Sequence, residues 1–198
     1  MIHQVVLNKP LLGALANGLT VLAYLPYLRS IFLGRTRPHV FSWIIWGLAT
    51  GIAFLAVLQA RGGAGAWPIG FSCLVSFLVA GLAYLKRADI SITRSDWLMF
   101  WAALAAIPVW MAANDPLWAV VLITFIELLG FGPTFRKSWS RPHSESISFL
   151  VILMVRNAII IAALDQHSLT TVLFPAAAAL ACGLLVALLL VRRPRIAR

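Results

Sequence analysis

Residues 25–46 read LPYLRSIFLGRTRPHVFSWIIW, and residues 132–149 answer with GPTFRKSWSRPHSESISF. In the first stretch Pro26 is followed three residues on by Arg29, then by Arg35, by Arg37-Pro38-His39 and by Ser42-Trp43. In the second, Pro133 precedes Arg136, a new Arg141-Pro142-His143 follows, and Ser148-Phe149 stands in place of Ser42-Trp43. Registering the two takes small gaps, because Pro26 to Pro133 is an offset of 107, Arg37 to Arg141 of 104 and Ser42 to Ser148 of 106. A proline, a basic turn and a second Arg-Pro-His in one order predict an internal duplication, since self-similarity in fixed order is the signature of repeats.

The rest of the chain sets the medium in which such a repeat folds. With 62% hydrophobic and 11% charged residues and a mean hydropathy of +0.93, the 198 residues lack the polar surface that a water-soluble globule needs. An integral membrane protein is expected. Long apolar runs broken by short polar turns, without a two-residue alternation, favour helices over a barrel.

The net charge of +10 would suggest nucleic acid in a soluble chain, but here its distribution follows the positive-inside rule. Placing the first, third and fifth loops and the tail on one side collects Arg29, Arg35, Arg37, Lys86, Arg87, Arg94, Arg136, Lys137, Arg141, Arg192, Arg193, Arg195 and Arg198, 13 of the 16 Lys and Arg. Lys9 and Arg61 fall on the other side, and Arg156 falls within a helix. The expected partners are therefore the lipid bilayer and a small-molecule solute, with no nucleic acid; a homo-oligomer is left open. The expected location is the bacterial inner (cytoplasmic) membrane, with the N-terminus outside and the C-terminus cytoplasmic. Each tail arginine near anionic lipid heads contributes on the order of 1 kcal/mol.

Cys73 and Cys182 each lie inside an apolar helix, away from an oxidising loop, and neither has the company of a metal or redox motif. Ala14-Leu15-Ala16 comes too early to follow the apolar region of a cleaved leader, so the first helix is expected to stay.

Seven spans follow from length, since about 20 residues at 1.5 Å each match the hydrocarbon thickness. They run over Leu11 to Phe32, Val40 to Ala60, Trp67 to Leu85, Trp97 to Ala113, Leu117 to Phe135, Ile147 to Leu164 and Leu169 to Val191. Residues 1–86 make a first three-helix unit, 87–115 a linker loop and a fourth helix without ionisable side chains, and 116–198 a second three-helix unit with a basic tail. The fold class expected is an all-α membrane protein with seven transmembrane helices, two parallel three-helix repeats joined by a linker helix.

The polar residues inside these spans are the candidate site. The first two helices of each unit supply Asn17, Thr20, Thr50, Thr124, Glu127, Arg156 and Asn157. Trp43 and Trp46 share a helix face and fit either an interfacial belt or a cavity wall on which a ligand stacks. Ser72, Cys73 and Ser76 read as small residues that permit close packing. Counted from the nearest basic turns, Glu127 lies about 13 Å and Arg156 about 12 Å above the cytoplasmic edge. Opposite charges at one depth predict an ion pair, because a charge in the bilayer normally faces a partner or a water-filled cavity. A Glu127 left unpaired in one state would be able to carry a proton, whereas a permanent pair with Arg156 is structural.

Two parallel three-helix units, a linker helix and a proline before each basic turn resemble the SWEET and PQ-loop transporter superfamily over nearly the whole chain. Pro26 with Arg35, Arg37, Ser42, Trp43 and Trp46 is similar to that family's proline, basic loop and serine-to-tryptophan pattern, and Pro133 with Arg136, Arg141 and Ser148 is similar to a second copy. The glutamine that follows each family proline is Tyr27 and Thr134 here, and the third and seventh helices lack the asparagines that contact sugar. Trp43-Ile44-Ile45-Trp46 resembles the tryptophan pair of PnuC-type vitamin transporters. The resemblance implies alternating access, with the two bundles rocking about a midplane cavity and with Pro26 and Pro133 as hinges.

The leading expectation is a small-solute transporter, uniporter or proton-coupled; the alternative is a non-transporting receptor, scaffold or assembly factor, for which such short loops leave little surface. An enzyme is not expected, because the chain has no clustered His or Cys ligands, no paired carboxylates and no nucleophile beside a base. No metal or cofactor is expected. His39 and His143 sit in equivalent turns, where they read as solvated turn residues, a shared metal site or a pH sensor.

Overall fold

The computed structural model describes residues 8–34, 38–86, 94–140 and 142–195. They form seven α-helices: α1 (Lys9–Phe32), α2 (Val40–Gln59), α3 (Trp67–Leu85), α4 (Arg94–Ala113), α5 (Pro116–Ser140), α6 (Ile147–Ala163) and α7 (Leu169–Arg192). Four helical segments are long and apolar enough to cross a membrane, Lys9–Phe32, Val40–Gln59, Gly63–Leu85 and Leu169–Arg195. Three shorter apolar helices accompany them, Trp97–Ala113, Pro116–Gly132 and Ile147–Ala163. The chain is thus an all-helical membrane protein, the architecture in which every spanning segment satisfies its own backbone.

The helix ends have local causes. Asn8 caps α1 by accepting from the Leu11 amide, His39 Nδ1 accepts from the Ser42 amide at 3.3 Å, and Ser146 Oγ accepts from the Phe149 amide at 3.3 Å. Asp115 Oδ1 accepts from the Leu117 amide at 2.9 Å ahead of α5, and Ser168 with Thr171 forms a capping box for α7. Turns at Gly34, Arg61, Gly63 and Asn114 reverse the chain with positive φ. α5 runs to Ser140, beyond the expected end at Phe135, and takes Pro133 into its interior. α4 likewise starts at Arg94, before Trp97. Basic residues mark where a membrane edge falls, while the helix ends where capping and turn residues stop it.

α3 packs against both α1 and α2, and α7 against both α5 and α6. The two groups meet along α1–α6 and α2–α5, so six helices close a ring in the order α1, α3, α2, α5, α7, α6. α4 stands outside it, against α5 and α2. A constant shift of 107 residues carries Lys9 to Pro116, Val40 to Ile147 and Leu85 to Arg192, which are matching helix ends. The same shift carries the caps Asn8 to Asp115 and His39 to Ser146, and Trp67-Pro68 onto Phe174-Pro175. One shift relates these helix ends and caps, while Arg37 to Arg141 and Ser42 to Ser148 keep their offsets of 104 and 106.

The two ends of the ring differ. At the end that carries the 62–65 turn, one buried cluster runs through Ala16, Ala53, Ile69, Ile123, Ile160 and Phe174 and so joins all six ring helices in a shared core. Gly65 lies so close to α6 that a Cβ there would sit 2.7 Å from the Ile160 carbonyl oxygen. The Asp165 amide donates to the Gly62 carbonyl at 3.1 Å, and Lys9 Nζ pairs with Asp165 Oδ1 at 3.3 Å.

Toward the opposite end, where α3 and α7 finish, the buried residues divide. Ile31, Trp43 and Val79 pack within α1–α3, Leu150, Leu185 and Leu189 within α6 and α7, and Phe41, Ile45, Ala103 and Ile126 where α4 covers α2–α5. Each group is also clasped internally there. Lys86 Nζ donates to the Phe32 carbonyl at 3.0 Å and lies 5.6 Å from that ring, while Arg192 Nε donates to the Trp139 carbonyl at 3.1 Å with its guanidinium 4.3 Å from that ring.

Candidate functional site

α6 carries Arg156 into the protein interior, where only 7% of it remains exposed. Its Nε donates to Thr20 Oγ1 at 2.7 Å, its Nη2 to the Pro68 carbonyl and to Ser72 Oγ, both at 2.5 Å, and its Nη1 to Asn157 Oδ1 at 3.4 Å. Thr20 and Ser72 in turn donate to the carbonyls of Ala16 and Pro68, at 2.9 and 3.0 Å, which fixes both hydroxyls for the guanidinium. The planar fork thereby hooks α6 onto α1 and α3 through neutral oxygens.

This corrects the ion pair expected with Glu127. Glu127 belongs to α5, and α7 stands between α5 and α6 in the ring. Equal depth does not make two side chains neighbours, and Arg156 turns to the α1–α3 seam because four oxygens converge there.

Glu127 and Thr124 lie one turn apart on α5. Glu127 Oε2 and Thr124 Oγ1 are both buried without a hydrogen-bond partner, as is Asn17 Oδ1 on α1. Tyr24 of α1 and Cys182 of α7 each lie within electrostatic reach of both Glu127 and Arg156. Trp46 reaches α5 from α2, its Nε1 3.4 Å from where a Cβ on Gly130 would stand, one turn from Glu127.

The remaining candidates are placed as follows. Thr50 Oγ1 turns back on its own helix, donating to the Trp46 carbonyl at 2.7 Å, and Asn157 Nδ2 donates to the Leu153 carbonyl at 2.9 Å. Trp43 is 8% exposed and sits at the centre of an aromatic group, 6.1 Å from Tyr24, 5.4 Å from Tyr27 and 5.1 Å from Trp46, with Tyr24 6.0 Å from Phe149 of α6. Its ring is thus packed among side chains of α1 and α2. Asn17 lines a groove of about 730 Å³ with Asn8, Lys9, Trp67 and Asp165 at the end that carries the 62–65 turn.

Pro26 is an exposed residue inside α1; Pro133 is inside α5, with its side chain outside the described residues, as are those of Arg136 and Lys137. Arg35, Arg37, Arg87, Arg141 and Arg198 also fall outside the described residues. Among the described residues, no three His, Cys, Asp or Glu side chains gather closely enough to hold a metal ion.

Under the 107-residue shift Asn17 becomes Thr124, Thr20 becomes Glu127 and Thr50 becomes Asn157, while Arg156 corresponds to the fully buried Ala49. Six of the seven polar candidates are thus three matched pairs, and the arginine is the polar member without a mate, while Trp43 and Trp46 correspond to Leu150 and Leu153. Sequence reasoning missed Ser72, the Pro68 carbonyl, Tyr24 and Cys182. The echo of Trp67-Pro68 in Phe174-Pro175 was the available signal, because it places Ser72 one turn past the proline, at the depth of Thr20. Comparison with protein families, with curated proteins and with solved structures finds no match for this chain.

Proposed function

We propose that the protein is a small-solute carrier in which two three-helix bundles, α1–α3 and α5–α7, move against each other about a polar centre. The observation that carries the reading is the buried polar middle of the ring, where Arg156 bonds across the bundles and Glu127, Thr124 and Asn17 keep unpaired oxygens. Charges and unpaired polar groups at membrane depth are costly and mark ligand or ion pathways. Matched helix ends, matched caps and a shared ring order support two parallel repeats joined by α4, and a site between parallel repeats is a recurrent carrier plan.

The difference between the ring's ends supports alternating access. One shared core with an ion pair closes the end of Lys9 and Asp165, whereas toward the end of Lys86 and Arg192 the buried residues divide into separate clusters, and the one that joins the bundles there is Phe41, Ile45 and Ile126 beneath α4. With Lys and Arg concentrated at the second end, that end is cytoplasmic in this proposal, the N-terminus is outside, and the membrane is a bacterial inner membrane. The clasps Lys86–Phe32 and Arg192–Trp139 then hold each bundle together while the bundles part. Glu127 is the residue for proton coupling.

The test is flux in proteoliposomes, measured for a panel of sugars, amino acids, amines and vitamin nucleosides with and without a pH gradient. The carrier reading expects uptake of at least one solute, with any dependence on the gradient removed in Glu127→Gln. Folded protein that moves nothing from the panel would overturn it in favour of a receptor or scaffold.

A further inference from the structure

We propose that Glu127 and Thr124 form the recognition point for a cationic nitrogen, the protonated amine or guanidinium group of the transported solute. The inference rests on the carrier reading and adds the class of solute to it.

Thr124 is 4% exposed, and its hydroxyl and Glu127 Oε2 lie buried and unpaired on one face of α5. Leaving a buried polar atom unpaired costs about 1–3 kcal/mol, so such atoms in native interiors point to a missing partner. An ionised carboxylate only accepts hydrogen bonds, and the partner it lacks is therefore a donor.

The opposite interface of the ring indicates what kind of donor. Where α6 meets α1, the protein supplies its own cation, Arg156, on Thr20. Where α2 meets α5, the matched positions hold Ala49 and Glu127, and α2 brings no cation to that interface. The repeats thus place a built-in guanidinium at one interface and leave its mirror position with the anion alone.

Among the described residues no ion pair neutralises Glu127. α2 carries no ionisable residue, and α4 none beyond its first turn. α7 brings Cys182 and α1 brings Tyr24 to its surroundings. Arg156 of α6 already donates to four oxygens. A carboxyl so placed is neutralised by a proton or by the cation of a ligand, and it cannot hold both. The Trp46 ring, one turn away at Gly130, and Tyr24, within electrostatic reach, add aromatic groups to these surroundings, and aromatic faces attract positive charge.

The test is thermal unfolding of the full chain in micelles with butylammonium or methylguanidinium chloride as probes. Sodium chloride, butanol and sodium butyrate serve as matched controls. The expected result is a concentration-dependent rise in Tm with the two organic cations alone, absent in Glu127→Gln and with apparent affinity weakened about tenfold in Thr124→Val. A rise produced by butanol or butyrate, a rise that survives Glu127→Gln, or no rise with either cation overturns the inference.

Its failure is separable from failure of the carrier reading. Flux of a neutral or anionic solute without cation binding removes the inference and leaves the carrier. Cation binding without flux of any cation does the reverse.

Discussion

The interface of α1 with α6 and that of α2 with α5 hold positions related by one 107-residue shift, yet one is electrostatically complete and the other is not. In the first, a guanidinium reaches from α6 to Thr20, Ser72 and the Pro68 carbonyl. In the second, Ala49 takes the place of the arginine, Glu127 takes the place of the threonine, and oxygens of Glu127 and Thr124 stay unpaired. Positions that share a place in the ring thus carry different polar groups, and in the proposed carrier this difference makes one side a latch and opens the other to a cargo.

If the first interface is a latch, cutting its acceptors should be the most damaging change. Thr20→Val with Ser72→Ala leaves the guanidinium only the Pro68 carbonyl and the distant Asn157, and unfolding in micelles should show a loss of roughly 3–5 kcal/mol, as for an uncompensated buried charge. Ser72→Ala alone should cost about 1–3 kcal/mol, the range for a hydrogen bond to a charged group. In an Arg156→Met background the same substitution should cost less than about 0.5 kcal/mol, since the partner is gone. Equal cost in both backgrounds would mean that Ser72 acts through packing and that the latch is misassigned.

Much of this was legible in the sequence. Composition and span lengths gave the helices, while the duplication expected from Pro26, Arg37-Pro38-His39 and their echoes belongs to the proposal. The pairing of Glu127 with Arg156 was misread for a physical reason. Helical rise converts sequence into depth, but nothing in one sequence gives the order of helices around the ring, and α7 lies between those two residues. Ser72 was read as a packing residue for the same reason, since its role depends on α3 standing beside α1. Trp43 was ambiguous because interfacial and interior tryptophans occupy the same sequence position near a helix end.

Smaller effects sharpen the contrast between the interfaces. Glu127→Gln removes no bonded partner of Oε2, so its unfolding free energy should stay within about 0.5 kcal/mol of the parent. Lys9→Ala breaks an ion pair whose side chains are 35% and 52% exposed, and its cost should be below about 1 kcal/mol and should shrink with added salt. A larger loss at Lys9 would give the closed end of the ring an electrostatic origin in place of the shared apolar core.

The most direct measurement is solute uptake by proteoliposomes that carry Glu127→Gln, run beside the parent protein with thermal midpoints recorded for both. The account predicts matched midpoints, uptake of an amine-bearing solute by the parent and background uptake by the variant. Undiminished uptake by the variant, or a midpoint that falls as far as that of the Thr20→Val, Ser72→Ala protein, would contradict it, because Glu127 would then be either dispensable to the cargo or part of the frame.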